Sequence, residues 1–412
     1  MEKYKTSKDL LILGNGFDLS CKLPSTYGDF FQERYSEDFL KYFKFKSFLT
    51  TNIPSPNGLE KIMEDYGLLD CLLVANTVQT DINKYDWADI ESILLGFFYD
   101  NPINLTNLVE QYISIKRDGK NFAPNFLSNF SKQDSLIKLN NYEDGFPNKY
   151  KLEIILEMIG YKHDISYNVI LEKDIKDVLL FEFKRSLTNL EKDFQAYLQR
   201  KVETETSNYL ANTYKLFNAL DLDEPNTYLI AFNYTRRDTL PSKAYARNFY
   251  EENNVHGEIG TSREIIFGID ENYIDADSNY YPFTKTYRKL ILDSKRAQPY
   301  KKLPSEVTNL MFYGHSLSDA DYAYFYSIFD FYSIYNSNIN IVFYYNNYIG
   351  GNNNKVLNTY TSSITKLFNS YSKNSSFTTK NLLHKLNLEG RIHIREMKIN
   401  YDADKIIDTM IV

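Results

Sequence analysis

Leu10–Ser20 reads LLILGNGFDLS, and this stretch decides the fold. Four apolar residues run into Gly14-Asn15-Gly16, and a helix-forming pattern follows from about Thr26. A short apolar run of this kind suits a strand buried on both faces of a parallel sheet. A glycine turn at its end lets backbone N–H groups approach a ligand, with phosphate the natural occupant. A plain tight turn explains the same residues. The pattern lacks the third glycine and the acidic residue that make a dinucleotide fingerprint diagnostic.

Composition narrows the field. The chain has 412 residues, 43% hydrophobic and 25% charged, with a net charge of −7. That suits a globular protein with a large core and argues against one that coats nucleic acid through its overall field. No apolar run reaches the roughly 18–20 residues of a membrane span. The N-terminal MEKYKTSKDL leads into the first strand without a signal-peptide core, so we expect a cytoplasmic protein that binds neither membrane nor nucleic acid. Two cysteines, Cys21 and Cys71, can build neither a disulfide framework nor a four-thiolate zinc site. The 36 tyrosines come without a basic groove, so they are read as compositional bias rather than as base-stacking platforms.

Further along, apolar residues recur at helical spacing from Leu59 to Val78, and Asp86-Trp87-Ala88-Asp89-Ile90-Glu91 opens another helix. Asp86 suits its cap, with Asp89 and Glu91 in the first turn; alternatively Glu91 faces a ligand cleft. Residues 100–180 carry no motif and are read as helical. From Phe181 to Val202, Phe183, Leu187, Leu190, Phe194, Tyr197 and Leu198 form one core-facing stripe.

Strand signals then return. Thr227–Phe232 (TYLIAF) ends in Asn233-Tyr234-Thr235, Glu264–Gly268 (EIIFG) reads as a strand, and Asn309–Tyr313 (NLMFY) ends in Gly314-His315-Ser316-Leu317. Ser318-Asp319-Ala320-Asp321 matches a capping box for the next helix. Asn340–Tyr345 (NIVFYY) leads into Asn346, and a last strand is expected near Arg391–Met397. Strands alternating with helices predict an α/β fold around a mostly parallel sheet, whose ligands bind beyond the strands' carboxyl ends. The core is read from 8–40 and 225–350, a helical insertion from about 41–224, and a C-terminal extension from 351–412.

LLILGNGFDLSCKLPSTYGDFF, DWADIE, FNYT, NVHG, IIFG and FYGHSLSDADY occur in that order, and together they resemble the bacteriophage abortive-infection family AbiH. The resemblance implies a role in bacterial defence against phage. The same islands resemble a sirtuin-like, Rossmann-like NAD-binding fold. Gly14-Asn15-Gly16 with Leu23-Pro24 is similar to the sirtuin glycine loop, and Val255-His256-Gly257 to the His-Gly carrying its catalytic histidine. Asn233 matches its Gln-Asn-x-Asp asparagine, Gly314-His315-Ser316 its Gly-Thr-Ser loop, and Asn346 the asparagine after the next strand. Thr235 and His315 depart from that pattern, and the zinc-binding cysteine pairs are missing.

The resemblance therefore implies NAD as substrate rather than acetyl-lysine, with no metal expected. Asn233 and His256 would be catalytic, the second as general base. Gly14, Asn15, Gly16, Asp18, Gly314, His315, Ser316 and Asn346 would bind the dinucleotide; Asp18 would contact the ribose or orient Asn15. A phage-derived trigger and self-association are the expected partners. Two alternatives stay open: a nucleotide-sensing module without catalysis, and a nuclease or nucleotide hydrolase holding magnesium on Glu91, Asp319 and Asp321.

Overall fold

The computed structural model describes residues 8–37, 39–40, 66–77, 90, 94, 172–220, 222, 226–235, 251–260, 264–271, 274–294, 303–347, 353–374 and 381–397. The chain divides into two compact units. One comprises Met1–Thr26, Gln195–Ile266 and Lys285–Val412; the other comprises Tyr27–Phe194 and Phe267–Thr284.

The first unit is built on a six-stranded sheet, all of whose pairings are parallel. Its strands are β1 (Asp9–Leu13), β2 (Thr227–Ala231), β3 (Glu251–Asn254), β4 (Asn309–Tyr313), β5 (Asn340–Tyr345) and β6 (Ile392–Glu396). In space they run 3-2-1-4-5-6, so the order reverses between β1 and β4. In doubly wound sheets such a reversal opens a crevice for ligand beyond the carboxyl ends. The register aligns those ends: Leu13 lies beside both Ala231 and Tyr313, Tyr313 beside Tyr344, and Ala231 beside Asn254. The residues that follow each strand therefore share one edge.

The four inner strands β2, β1, β4 and β5 are covered on both faces, which is why they read as apolar runs rather than alternating ones, whereas the edge strands β3 (EENN) and β6 (IHIRE) do not. On one face Leu10, Ile12, Leu310, Phe312, Ile341 and Phe343 join a single core with α7 (Tyr322–Phe331), α8 (Asn353–Asn374) and α9 (Leu382–Leu388). On the other, Tyr313 meets Phe17 of α1 (Gly16–Ser20) edge to face, and Phe17 packs on Phe217 of α5 (Thr206–Ala219). α6 (Lys285–Ser294) completes the helices of this unit used below.

The second unit contains α2 (Tyr27–Arg34), α3 (Leu68–Thr77) and the first part of α4 (Glu172–Thr204). Tyr27, Phe30, Phe194 and Phe267 form its ring cluster. Arg34 holds the buried Asp70 through two hydrogen bonds, at 2.7 and 2.9 Å. The core-facing stripe read from Phe183 to Leu198 is buried at all six positions.

Two sequence expectations need correction. Glu264–Gly268 forms no strand: Ile266 N–H bonds to His256 O, whereas Phe267 N–H bonds to the Glu191 carboxylate, so the segment never enters the ladder. Ser318–Asp321 forms a 3-10 turn at Asp319–Asp321 followed by α7, and neither Ser318 nor Asp321 makes a side-chain capping bond. Asp86–Asp89 and Glu91 lie outside the described residues, as do 100–171. No helix among the described residues is long and apolar enough to cross a membrane.

A close backbone-to-backbone approach lies where the strand order reverses. A Cβ added at Gly14 would sit 2.5 Å from His315 Cα, and one at Gly314 (φ +69°) would sit 2.4 Å from the Phe17 nitrogen. Gly14→Ala therefore has no relaxed solution and is expected to cost at least about 2 kcal/mol by overpacking, read as a lowered urea unfolding midpoint.

Candidate functional site

The shared edge is built from the turns that leave β1, β2, β3 and β4. The β1 and β4 turns are locked together by backbone bonds, Gly14 N–H to Tyr313 O at 3.0 Å and Gly16 N–H to Gly314 O at 2.7 Å. The glycines are needed for this approach of backbone to backbone, and the two amides are spent within the protein rather than left for phosphate. The Asn15 side chain is also engaged: its Nδ2 donates to Ser25 O at 3.1 Å, and its Oδ1 accepts from the Ser25 hydroxyl at 2.8 Å. Ser20 carries a related link, accepting from Tyr313 OH at 2.8 Å and donating to Gly16 O at 2.6 Å, with Asn346 Oδ1 3.5 Å from its hydroxyl. Ser316 is exposed, and Asn346 half-buried.

Asp18 neither orients Asn15 nor faces outward. It is 1% exposed, and its carboxylate is the hub of a buried network. Tyr209 OH donates to Asp18 Oδ1 at 2.6 Å, Thr235 Oγ1 donates to the same oxygen at 2.8 Å, and Asn233 Nδ2 donates to Oδ2 at 2.9 Å. From β3, Asn254 Nδ2 donates to the backbone carbonyls of Asn233 and Thr235, each at 3.0 Å, and so fixes the β2 turn. Within this network Asn233 Oδ1, fully buried, has no partner among the described residues.

A second buried cluster joins the β3 and β4 turns to α6 and the start of α7. Lys285 Nζ lies 2.9 Å from Asp321 Oδ1, His315 Nε2 lies 3.3 Å from Asp321 Oδ2, and His256 Nε2 lies 3.5 Å from Asp321 Oδ1 without hydrogen-bond geometry. His315 Nδ1 accepts the Leu317 N–H at 2.9 Å, so in the neutral ring the proton sits on Nε2 and faces the carboxylate. The same bond holds Leu317 at φ +57°, an uncommon conformation for leucine. The Phe232 ring packs edge-on against both imidazoles.

Charge and burial set the protonation states here. Burial, and next the Lys285 ammonium, push the His256 imidazole down to about 3, against the weaker opposite pull of Asp321. His256 is therefore neutral at physiological pH. Burial alone would raise the Asp321 carboxyl; the Lys285 ammonium, the His315 hydrogen bond and His256 outweigh it and hold the group well below the usual carboxylate range.

The structure thus brings Asn233 and His256 to the same sheet edge, on the turns leaving the adjacent strands β2 and β3. It ties Asp18 to the first and Asp321 to the second. Asp319 is exposed, whereas Asp321 is paired with Lys285, and Glu91 lies outside the described residues. Among the described residues no group of three His, Cys, Asp or Glu side chains is placed to hold a metal ion. Sequence reading missed Lys285, Tyr209 and Asn254. Each reaches the edge from a different element, and the only sequence hint is that Tyr209 and Thr213 put hydroxyls on the same helical stripe of α5 as the apolar Leu216 and Phe217.

Two outcomes follow for stability. Lys285→Met leaves the Asp321 carboxylate buried without its cation and is expected to cost about 3–5 kcal/mol in urea unfolding. His256 has a lower pKa folded than unfolded, so the unfolded chain binds the extra proton between pH 6.5 and about 3. Its contribution is present above pH 6.5 and falls by up to about 1.4 kcal/mol per pH unit as the solution is acidified through that window. The His256→Gln variant should show a correspondingly flatter pH dependence of the unfolding midpoint.

The family described as bacteriophage abortive infection AbiH matches residues 10–345, a span that includes every residue of both buried networks. No curated protein matches the chain.

Proposed function

Because this chain belongs to the AbiH family of bacteriophage abortive infection, we propose that it serves defence by cleaving NAD at the nicotinamide–ribose bond. This reading is carried by a clamped carboxamide and a neutral imidazole on the turns that leave the adjacent strands β2 and β3. Asn233 Oδ1 and His256 Nε2 are both buried there without hydrogen-bond partners among the described residues. Buried polar atoms left unpaired are costly, and a site built to receive a polar ligand is one reason for a fold to keep them. The strand order 3-2-1-4-5-6, shared with Rossmann-type dinucleotide-binding sheets, adds support from topology.

In this reading the C1′–N1 bond breaks through an oxocarbenium-like transition state, and its electron pair leaves with nicotinamide. Water oxygen bonds to C1′, and the water proton passes to His256 Nε2 and then to solvent. Asn233 holds a ribose hydroxyl. The products are nicotinamide, ADP-ribose and a proton. This reading takes the glycine loop and the His-Gly pair as sirtuin-like in kind, and the Asp18 carboxylate lies against Thr235, the position where that resemblance has an aspartate.

One observation favours a second reading, a nucleotide-sensing module without turnover. With its pKa near 3, His256 is a weak base at neutral pH: protonating it there costs about 5 kcal/mol. Ligand entry would have to displace or neutralise the influence of Lys285 for His256 to work as a base.

The two readings separate in one assay. Purified protein is incubated with NAD, alone and with lysate of phage-infected cells, and nicotinamide release is followed. Hydrolysis predicts release that falls about 10²–10⁴-fold in His256→Ala. Its acid limb in kcat/KM should lie well below the usual histidine range near 6.5. Binding of ADP-ribose with no nicotinamide released under either condition would select the sensing module.

A further inference from the structure

We propose that Asp18, Thr235 and Tyr209 form an orienting clamp that makes Asn233 a dedicated acceptor for a hydroxyl of the ligand's pentose. The proposal rests on the nucleotide reading above and specifies what the site reads. An ionised carboxylate only accepts hydrogen bonds, so the side of the Asn233 carboxamide facing Asp18 has to be its NH₂. One amide hydrogen goes to Asp18 Oδ2 at 2.9 Å, and the other to Thr235 Oγ1 at 3.0 Å. The Thr235 and Tyr209 hydroxyls in turn spend their hydrogens on Asp18 Oδ1.

Every donor of the group is then used, and a flipped carboxamide would set its oxygen against the carboxylate. The flip is forbidden, and Asn233 Oδ1 is left buried and open. The backbone cannot rotate to relieve it, because Asn254 holds the carbonyls on both sides of Tyr234. A buried acceptor of fixed direction selects a donor. Ionised phosphate oxygens have none to give, whereas a pentose hydroxyl does. Asp18, Thr235 and Tyr209 need not touch ligand; they are positioning residues.

The test is calorimetric titration of the full chain with ADP-ribose and with its analogue lacking both hydroxyls on the terminal ribose. Wild type is expected to bind ADP-ribose about tenfold more tightly than the analogue, the worth of one good hydrogen bond. In Thr235→Val and Tyr209→Phe that preference should shrink toward unity while affinity for the analogue stays constant. Asp18→Asn should abolish the preference, and the two milder variants keep the test decisive if Asp18→Asn does not fold. Equal binding of the two compounds by wild type overturns the clamp and leaves the nucleotide reading standing. A variant that weakens both compounds by the same factor also overturns it, since the network would then be only structural. Failure of wild type to bind either compound overturns both proposals together.

Discussion

The first unit depends on one contact: the backbone of the turn after β1 pressed against the backbone of the turn after β4. Two hydrogen bonds close it, and there is no room for a side-chain carbon at Gly14, Gly16 or Gly314. Since β1 and β4 flank the point where strand order reverses, this contact fixes the heights of the two turns relative to each other. α1 starts at one turn, and the path toward α7 starts at the other. Asp18 and His315 inherit their positions from it. Each then anchors its own buried polar network, the first through Asn233 and the second through Asp321.

The two networks solve different electrostatic problems. Around Asp18, three neutral donors from α5 and the β2 turn hydrogen-bond to a buried carboxylate. Around Asp321 a lysine supplies the charge directly, and one imidazole supplies a hydrogen bond. Removing a member from either leaves a buried group that water cannot reach, so each network is a cooperative unit rather than a sum of pairs. Phe232 lies against both imidazoles, while the next residue, Asn233, belongs to the other network. Short backbone steps thus carry the chain between the two.

Much of the sheet was legible because burial on both faces writes itself as contiguous apolar runs. Leu10–Leu13, Thr227–Ala231, Asn309–Tyr313 and Asn340–Tyr345 are strands close to where those runs place them. The parallel-sheet rule then gathers Asn233 and His315 to one edge without any coordinates, whereas β3, the strand that leads to His256, reads EENN and was not visible as a strand. What the runs did not reveal was direction and partnership. Gly14 and Gly16 were visible as glycines, but whether they make room for phosphate or for Gly314 depends on a strand 300 positions away. Asp321 looked like a helix cap because its sequence neighbours suit one. Its real partner, Lys285, precedes it by 36 residues, and no local pattern ties the two. Glu264–Gly268 had strand composition yet found Glu191 before it found a ladder. The family match supplied the biological setting that neither reading could derive from chemistry.

Strand order also governs how the molecule comes into being. β1, the first strand among the described residues, is flanked by β2 and β4, whose pairings join Asp9 to Thr227 and to Asn309. Ribosomes extend chains at about 5–20 residues per second, so β1 emerges roughly 10–40 s before its earlier neighbour exists. Through that interval a fully apolar ribbon, Leu10–Leu13, has both hydrogen-bonding edges bare. Such topologies fold slowly and invite association with other nascent chains. The strand order thus concentrates this association hazard in β1.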